Sequence, residues 1–286
     1  MQRVGQVLRS PRRAILQVLI LKAKHPALIS CVVPVFNEAR CLEQNLVAIH
    51  RFLELHFGAS FEIVCVDDCS KDASPDILAK LKPSLKLVLG RNPRNLGKGG
   101  ALKHGISLTR GEHVFFTDAD LSTPLTELMR FIPFLDHGYD VVIGNRKSPD
   151  ARIKRYQPRY RVIMGLGYTK LVNFVMGLNV SDYTCGFKAF RGDAARNIFS
   201  RARIAGWSFD VEILYLAHRL GYTLKEVPVT WEDHPETKVR IVKDTLRSFT
   251  ELVRIRLTRH DVSPVPRPII PDSSQAGAES TSNLGK

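Results

Sequence analysis

HVFFTDAD, residues 113–120, sets an apolar run directly against two acids spaced one residue apart, Asp118 and Asp120. A run this short and this apolar reads as a β-strand covered on both faces, the situation of a parallel sheet with helices above and below. Outward from it the same kind of run recurs: ALISCVVPVF at 27–36, FEIVCV at 61–66, LKLVL at 85–89 and YDVVI at 139–143. Helix-like stretches separate the runs at 41–57, 75–81, 99–108 and 125–135. Strand and helix in alternation predict right-handed crossover units. The expected fold is α/β, a Rossmann-like, mostly parallel sheet flanked by helices over residues 27–146.

In an open parallel sheet, ligands bind beyond the carboxyl ends of the strands. Those ends carry Pro34-Val35-Phe36-Asn37-Glu38, Asp67-Asp68-Cys69-Ser70, Asp118-Ala119-Asp120 and Gly144-Asn145-Arg146. Carboxylates gathered in one crevice repel one another unless a cation or a donor-rich ligand sits among them. Two acids one residue apart at a strand end can both reach a hard cation, and Mg2+ or Mn2+ completes such a shell with water and substrate phosphates. A D-x-D pair alone is a weak sign, since it can simply cap a helix. It gains weight here from its place after a buried strand and from Asp67-Asp68 at the end of another. Asn95-Leu96-Gly97-Lys98-Gly99-Gly100 is neither a P-loop nor a dinucleotide fingerprint, because Leu102 stands where a third glycine belongs. It is either a tight turn into a helix or a loop that presents Lys98 and a helix N-terminus to a phosphate.

The 286 residues carry 42 Lys and Arg against 28 Asp and Glu, a net charge of +14 and a pI near 9.8. That balance calls for an anionic partner: nucleic acid, a phosphate-bearing substrate or an acidic membrane face. With 44% hydrophobic and 24% charged residues, a wholly disordered, collagenous or polytopic membrane chain is excluded. A nucleic-acid binder is disfavoured, because no such motif is visible and the strand-end acids would repel a polyanion. Five cysteines without a C-x-x-C pair argue against a disulfide framework or a zinc site, and for a reducing, cytosolic setting.

No stretch approaches the roughly 20 apolar residues needed to span a bilayer. Residues 1–26 form a basic amphipathic segment whose apolar run at 15–21 either lies on a membrane surface or packs on the domain itself. No acid occurs from 151 to 181, while Tyr160, Met164, Tyr168, Val172 and Val175 recur at helical spacing. A second basic amphipathic helix is expected at 238–259, with Val239, Val242, Leu246, Phe249 and Val253 as its stripe. Each stripe is either core packing or a membrane face. Residues 261–286, rich in Pro and Ser, are expected to be a disordered tail after a single domain at 27–260.

In this order, VVPVFNE, VDDCSKD, NLGKGGALKHG, DADLSTP, GNR, DYTCGFKAF and GWSFDVEILYLA resemble the inverting glycosyltransferases of family 2. The similarity runs from about residue 29 to 256, and CGFKAF and GWSFDVE are its more specific stretches. Within that family the chain resembles dolichyl-phosphate β-glucosyltransferases and their polyprenyl-phosphate relatives. The resemblance implies a GT-A fold, a nucleotide-sugar donor such as UDP-glucose, and a dolichyl or polyprenyl phosphate acceptor. It implies peripheral contact with the cytosolic face of a membrane and no nucleic acid partner. GDP-mannose as donor, or a non-lipid glycan as acceptor, are the alternatives it leaves open.

By the same resemblance, Pro34, Phe36 and Glu38 sit at the nucleotide, with Val66, Asp67 and Asp68 beside base and ribose. Asp118, Ala119 and Asp120 would hold the metal, Mg2+ or Mn2+, and the diphosphate. Arg146 and Lys98 would sit near the phosphates, and Lys238 would close over them. Asp210 or Glu212 falls where many family members keep a general base. Independently of the resemblance, an anionic acceptor calls for a basic cleft, which the cationic stretch 152–170, with Arg155, Arg159 and Arg161, could supply. Two departures stand out: Cys69 replaces a usual glycine, and His234 stands where mannosyl-transferring relatives tend to have arginine, which leans towards the glucosyl branch.

Overall fold

The computed structural model describes residues 28–155, 158–206, 208–232 and 241–258. The N-terminal basic segment, the Pro/Ser-rich tail, His234 and Lys238 lie outside the described residues. The first half alternates as the apolar runs predict: β1 (Ile29–Val35), α1 (Leu42–Phe57), β2 (Phe61–Asp67), α2 (Ser74–Leu85), β3 (Val88–Arg91), α3 (Lys98–Ser107), β4 (His113–Phe116), α4 (Leu128–Asp136) and β5 (Val141–Asn145). A 3-10 turn at Leu125–Glu127 leads into α4. The expected helix at 75–81 runs on to Leu85, so the strand expected at 85–89 begins only at Val88.

The second half supplies β6 (Arg152–Arg155), α5 (Arg159–Met176), β7 (Lys188–Arg191), α6 (Gly192–Arg201), α7 (Phe209–Arg219), β8 (Leu224–Pro228), β9 (Thr230–Glu232) and α8 (Ile241–Leu257). Among the described residues the main sheet has seven strands in the order β3-β2-β1-β4-β7-β5-β8. β7 runs antiparallel between β4 and β5, with Phe116 opposite Lys188 and Val142 opposite Ala189. The other pairings in that sheet are parallel. β6 and β9 form a separate two-stranded ribbon.

Successive strand residues feed opposite faces, which is why the runs are apolar throughout. Val32, Val64, Val66, Val114 and Phe116 pack under α3, α6 and α7. Cys31, Val33, Ile63, Cys65 and Phe115 pack under α1, α2 and α4. None of the five cysteines, all of them among the described residues, is in a disulfide. Burial pushes the Cys65 thiol up to about 12 and the Cys31 thiol well above its ordinary value, so both act as small apolar side chains.

The two basic stretches divide differently. Val172 and Met176 of α5, and Leu252 and Ile255 of α8, join the core. Tyr160, Ile163, Met164 and Phe174 on α5 stay exposed, as do Phe249, Val253 and Leu257 on α8. The α8 stripe expected from spacing thus has its described members, Phe249 and Val253, on the outside, and the buried side belongs to Leu252 and Ile255. No helix among the described residues is long and apolar enough to cross a membrane.

Candidate active site

The carboxyl ends of β1, β2 and β4 open into one cavity of about 470 Å³, closed on the far side by the loop into α3 and the start of α7. That volume suits a ligand of nucleotide-sugar size. Pro34, Phe36 and Glu38 line it from β1, Asp68 from β2, and Asp118, Ala119 and Asp120 from β4. Asn95, Leu96, Gly97 and Lys98 line it from the glycine-rich loop, and Gly206 and Phe209 from the approach to α7.

The loops at these strand ends hold unusual backbone. Asn37, Cys69 and Leu121 all have positive φ, at 55°, 63° and 53°. A non-glycine residue pays about 1 kcal/mol or more for that conformation, and such positions cluster at sites whose shape matters. The side chains around them secure the turns. Asn37 N–H donates to Ser70 Oγ at 3.0 Å, and Asn37 Oδ1 accepts from Lys71 N–H at 2.8 Å. Cys69 therefore keeps the turn that a glycine would make freely. Asn45 Nδ2 donates to Ala119 O at 2.7 Å and fixes the acidic loop from the side of α1.

The adjacent acids at the end of β2, Asp67 and Asp68, part company because neighbouring residues on an extended chain face opposite ways. Asp68 lines the cavity, and its carboxylate accepts from Asn92 Nδ2 (2.7 Å), Leu96 N–H (2.9 Å) and Gly97 N–H (2.8 Å). It therefore clamps the glycine-rich loop. Asp67 accepts from Ser70 N–H at 3.0 Å and pairs with Arg91 at 3.2 Å, away from the cavity lining. Val66 is fully buried in the core.

Gly97 has φ of +90°, and a Cβ there would stand 2.6 Å from Ala205 O. The N–H groups of Gly99 and Gly100 donate to that same carbonyl at 3.0 and 3.4 Å. The helix N-terminus is thus engaged by the 205 carbonyl, and Lys98 is what the loop offers to the cavity. Lys98 Nζ pairs with Asp118 Oδ1. Desolvation works against its charge, but Asp118, Asp210 and Asp120 together raise its pKa above the ordinary lysine value. Asp120 Oδ1 accepts from Ser122 N–H at 3.0 Å.

Asp118 and Asp120 are the donors a divalent cation would find. Among the described residues no cluster of three or more His, Cys, Asp or Glu side chains is assembled for a metal. Two hard oxygen donors facing a cavity, one already drawing an ammonium, fit a cation that takes its remaining ligands from diphosphate and water. Gly186 lies against Asp118 so closely that any Cβ would strike the carboxylate Oδ2.

Asp210 and Glu212, equivalent as candidates in the sequence, differ in place. Glu212 accepts from the N–H groups of Arg203 (2.9 Å) and Ile204 (2.7 Å) and ties down the loop before α7. Asp210 is buried and pairs with Lys188. Burial pushes its pKa up, against the pull of Lys188 and Lys98. Arg146 lies outside the cavity lining: its Nε and Nη2 grip Asp182 at 2.7 and 2.8 Å, Nη2 also reaches Thr184 Oγ1 at 2.8 Å, and its guanidinium lies over Trp231. Arg155 is exposed on β6, and Arg159 and Arg161 fall in the first turn of α5.

Asp182, Gly186 and Lys188 were not singled out from the sequence. Asp182 is the first acid after the acid-free stretch 151–181, and Lys188 is a lone charge within CGFKAF. A charge inside an apolar strand has to find a partner, and that was the available signal.

The family model for glycosyl transferase family 2 matches residues 30–199. A dolichyl-phosphate beta-glucosyltransferase from Dictyostelium discoideum is 32% identical over 242 residues, 80% of this chain and 73% of that one. Glycosyltransferase AglD from Haloferax volcanii is 31% identical over 229 residues, 79% of this chain but only 36% of its own length. Glucosyl-3-phosphoglycerate synthase from Mycobacterium tuberculosis, solved with Mn2+ and UDP-glucose, superposes with a TM-score of 0.61 at 19% identity, covering 89% of this chain and 84% of that one. The shared architecture is the GT-A fold. The chain belongs to glycosyl transferase family 2.

Proposed function

We propose that the protein transfers a hexose, glucose from UDP-glucose, to a dolichyl or polyprenyl phosphate with inversion at the anomeric carbon. The observation that carries this reading is the single cavity uniting Pro34, Phe36, Glu38, Asp68, Lys98, Asp118 and Asp120 at the strand ends. The relatives named dolichyl-phosphate beta-glucosyltransferase supply the choice of sugar and acceptor.

Departure of a nucleoside diphosphate builds negative charge that has to be stabilised where it forms. A divalent cation, Mg2+ or Mn2+, held by Asp118 and Asp120 would supply Lewis-acid stabilisation of that charge. Lys98 brings an ammonium to the same cavity, and Phe36 and Glu38 bound the space for the nucleoside. Lys238, Val66 and Asp67 keep only the roles the family resemblance gives them. The acceptor, a phosphate monoester with a second pKa of about 6, is an anion near neutrality and needs no strong base.

The acceptor phosphate would be met by the basic run containing Arg155, Arg159 and Arg161. The exposed apolar side chains of α5 and α8, among them Ile163, Phe174, Val253 and Leu257, would rest on the membrane that carries the acceptor, on its cytosolic face. The test is turnover of labelled UDP-glucose and GDP-mannose, each with and without a polyprenyl phosphate in detergent. Glycolipid formed from UDP-glucose alone is expected. Product from GDP-mannose, or glucose transfer that ignores the lipid phosphate, overturns the assignment.

A further inference from the structure

Lys188 is the least expected charge in the molecule. It is completely buried on β7, and its ammonium lies over the Phe116 ring at 5.5 Å. Its Nζ donates to Cys185 O at 2.6 Å and pairs with Asp210 Oδ1. An ammonium in such a place is tolerated only with a partner of opposite charge and with its protons satisfied, and replacing such a pair by apolar groups is often neutral or stabilising. The pair is therefore poorly explained as a source of stability.

Its surroundings offer another role. Asp210 opens α7 beside Phe209, and Lys98 Nζ lies over the Phe209 ring at 5.9 Å. Lys98 itself pairs with Asp118. A Cβ at Gly186 would meet Asp118 and stand 3.3 Å from Lys98 Nζ, and the preceding Cys185 carbonyl takes Lys188, so the Lys188–Asp210 pair lies beside the Lys98–Asp118 pair and Asp210 helps to hold the Lys98 charge. The four groups thus form an alternating series, Asp118, Lys98, Asp210, Lys188, whose charges balance. A dication arriving at Asp118 would face the Lys98 ammonium at close range, and like charges in a partly dry site repel. Lys98 has a flexible four-carbon stem and must find another anion. Of the carboxylates that act on it, Asp118 and Asp120 belong to the candidate metal pair, which leaves Asp210.

We propose that Lys188 is a positioning residue that fixes Asp210 as a second anchor, to which Lys98 moves when a divalent cation takes Asp118. The inference rests on the reading of Asp118 and Asp120 as the metal pair. Lys98 then holds the carboxylate in the metal-free enzyme and yields it on loading, and the Lys188–Asp210 pair sets how easily it yields.

The test is Mn2+ binding to the nucleotide-free protein, followed by electron paramagnetic resonance of free Mn2+. The paired exchange Lys188→Met with Asp210→Asn removes equal and opposite charges and leaves no lone buried ion, and far-UV circular dichroism matching the unaltered protein checks its fold. It is expected to weaken Mn2+ binding by about tenfold, the usual size of coupling between sites. Lys98→Met is expected to tighten Mn2+ binding. In the Lys98→Met background the paired exchange should have no further effect, which closes a double-mutant cycle. An equal effect of the paired exchange with and without Lys98, or no effect in either, overturns the proposal while leaving the metal reading in place. Failure of the unaltered protein to bind Mn2+, even with UDP present, overturns both.

Discussion

The β1–β5 half of the molecule and the α5–α8 half solve opposite problems. Around the strand ends, acids are pulled inward and each is fastened: Asp68 by three donors, Asp67 by Ser70 and Arg91, Asp118 by Lys98. On α5 and α8 the inversion runs the other way, and large apolar side chains such as Ile163 and Phe174 are left 69% and 87% exposed. Charge in the interior and oil on the surface both raise the free energy of an isolated globule. Their coexistence on opposite halves is understandable if one half waits for a polyanion with a cation and the other for a lipid surface.

The harshest way to break this contrast is Asp120→Ala. It should lower kcat/KM for donor turnover by about 10³, or about 4 kcal/mol, measured as UDP release, with far-UV circular dichroism unchanged. Wild-type turnover in that variant would remove the donor reading of the first half. Next comes the apolar half. Ile163→Asp combined with Phe249→Asp should weaken binding to vesicles containing anionic lipid by about tenfold or more, as sedimentation would show. Turnover with a short-chain, water-soluble acceptor phosphate should hold steady in the same variant. A parallel loss of both would mean that these side chains serve the site itself.

A smaller effect sharpens the boundary between the halves. Asp182 is buried, which alone would raise its pKa, but the charge and hydrogen bonds of Arg146 bring it down from 3.8 to about 2. A carboxyl depressed in the folded state adds stability above its unfolded pKa. That contribution, about 2 kcal/mol, is lost as pH falls from about 4 towards 2. Urea midpoints should fall over that window in the unaltered protein, and Asp182→Asn should flatten the dependence. The smallest effect is expected from Cys69→Gly. Relief of the positive φ, partly offset by a freer unfolded chain, should stabilise by about 0.5 kcal/mol and raise Tm by about 1–2 °C in calorimetry.

What the sequence made legible follows a physical line. Strands β1, β2, β4 and β5 announce themselves because both their faces are buried, and Asp118-Ala119-Asp120 is meaningful because it ends one of them. Local pattern could not reveal facing. Asp67 and Asp68 look alike in a string, yet only one turns to the cavity. Asp210 and Glu212 sit on the same turn of α7, and only long-range partners tell them apart. Arg146 reads as a free phosphate ligand until Asp182, 36 residues on, is seen to hold it. Spacing found the amphipathic character of α8 but chose its outer side as its stripe, because Phe249 and Val253 recur as regularly as Leu252 and Ile255 do.

The reversed strand β7 has an effect on how the protein comes into being. Until residues 188–191 slot between β4 and β5, the sheet has a gap beside its acidic strand end, and Asp118 lacks Gly186 at its flank. A chain emerging from the ribosome therefore has all its cavity-lining acids long before it has a pocket. The pocket can be completed only late, when the segment made after α5 is threaded back into the middle of what was made first.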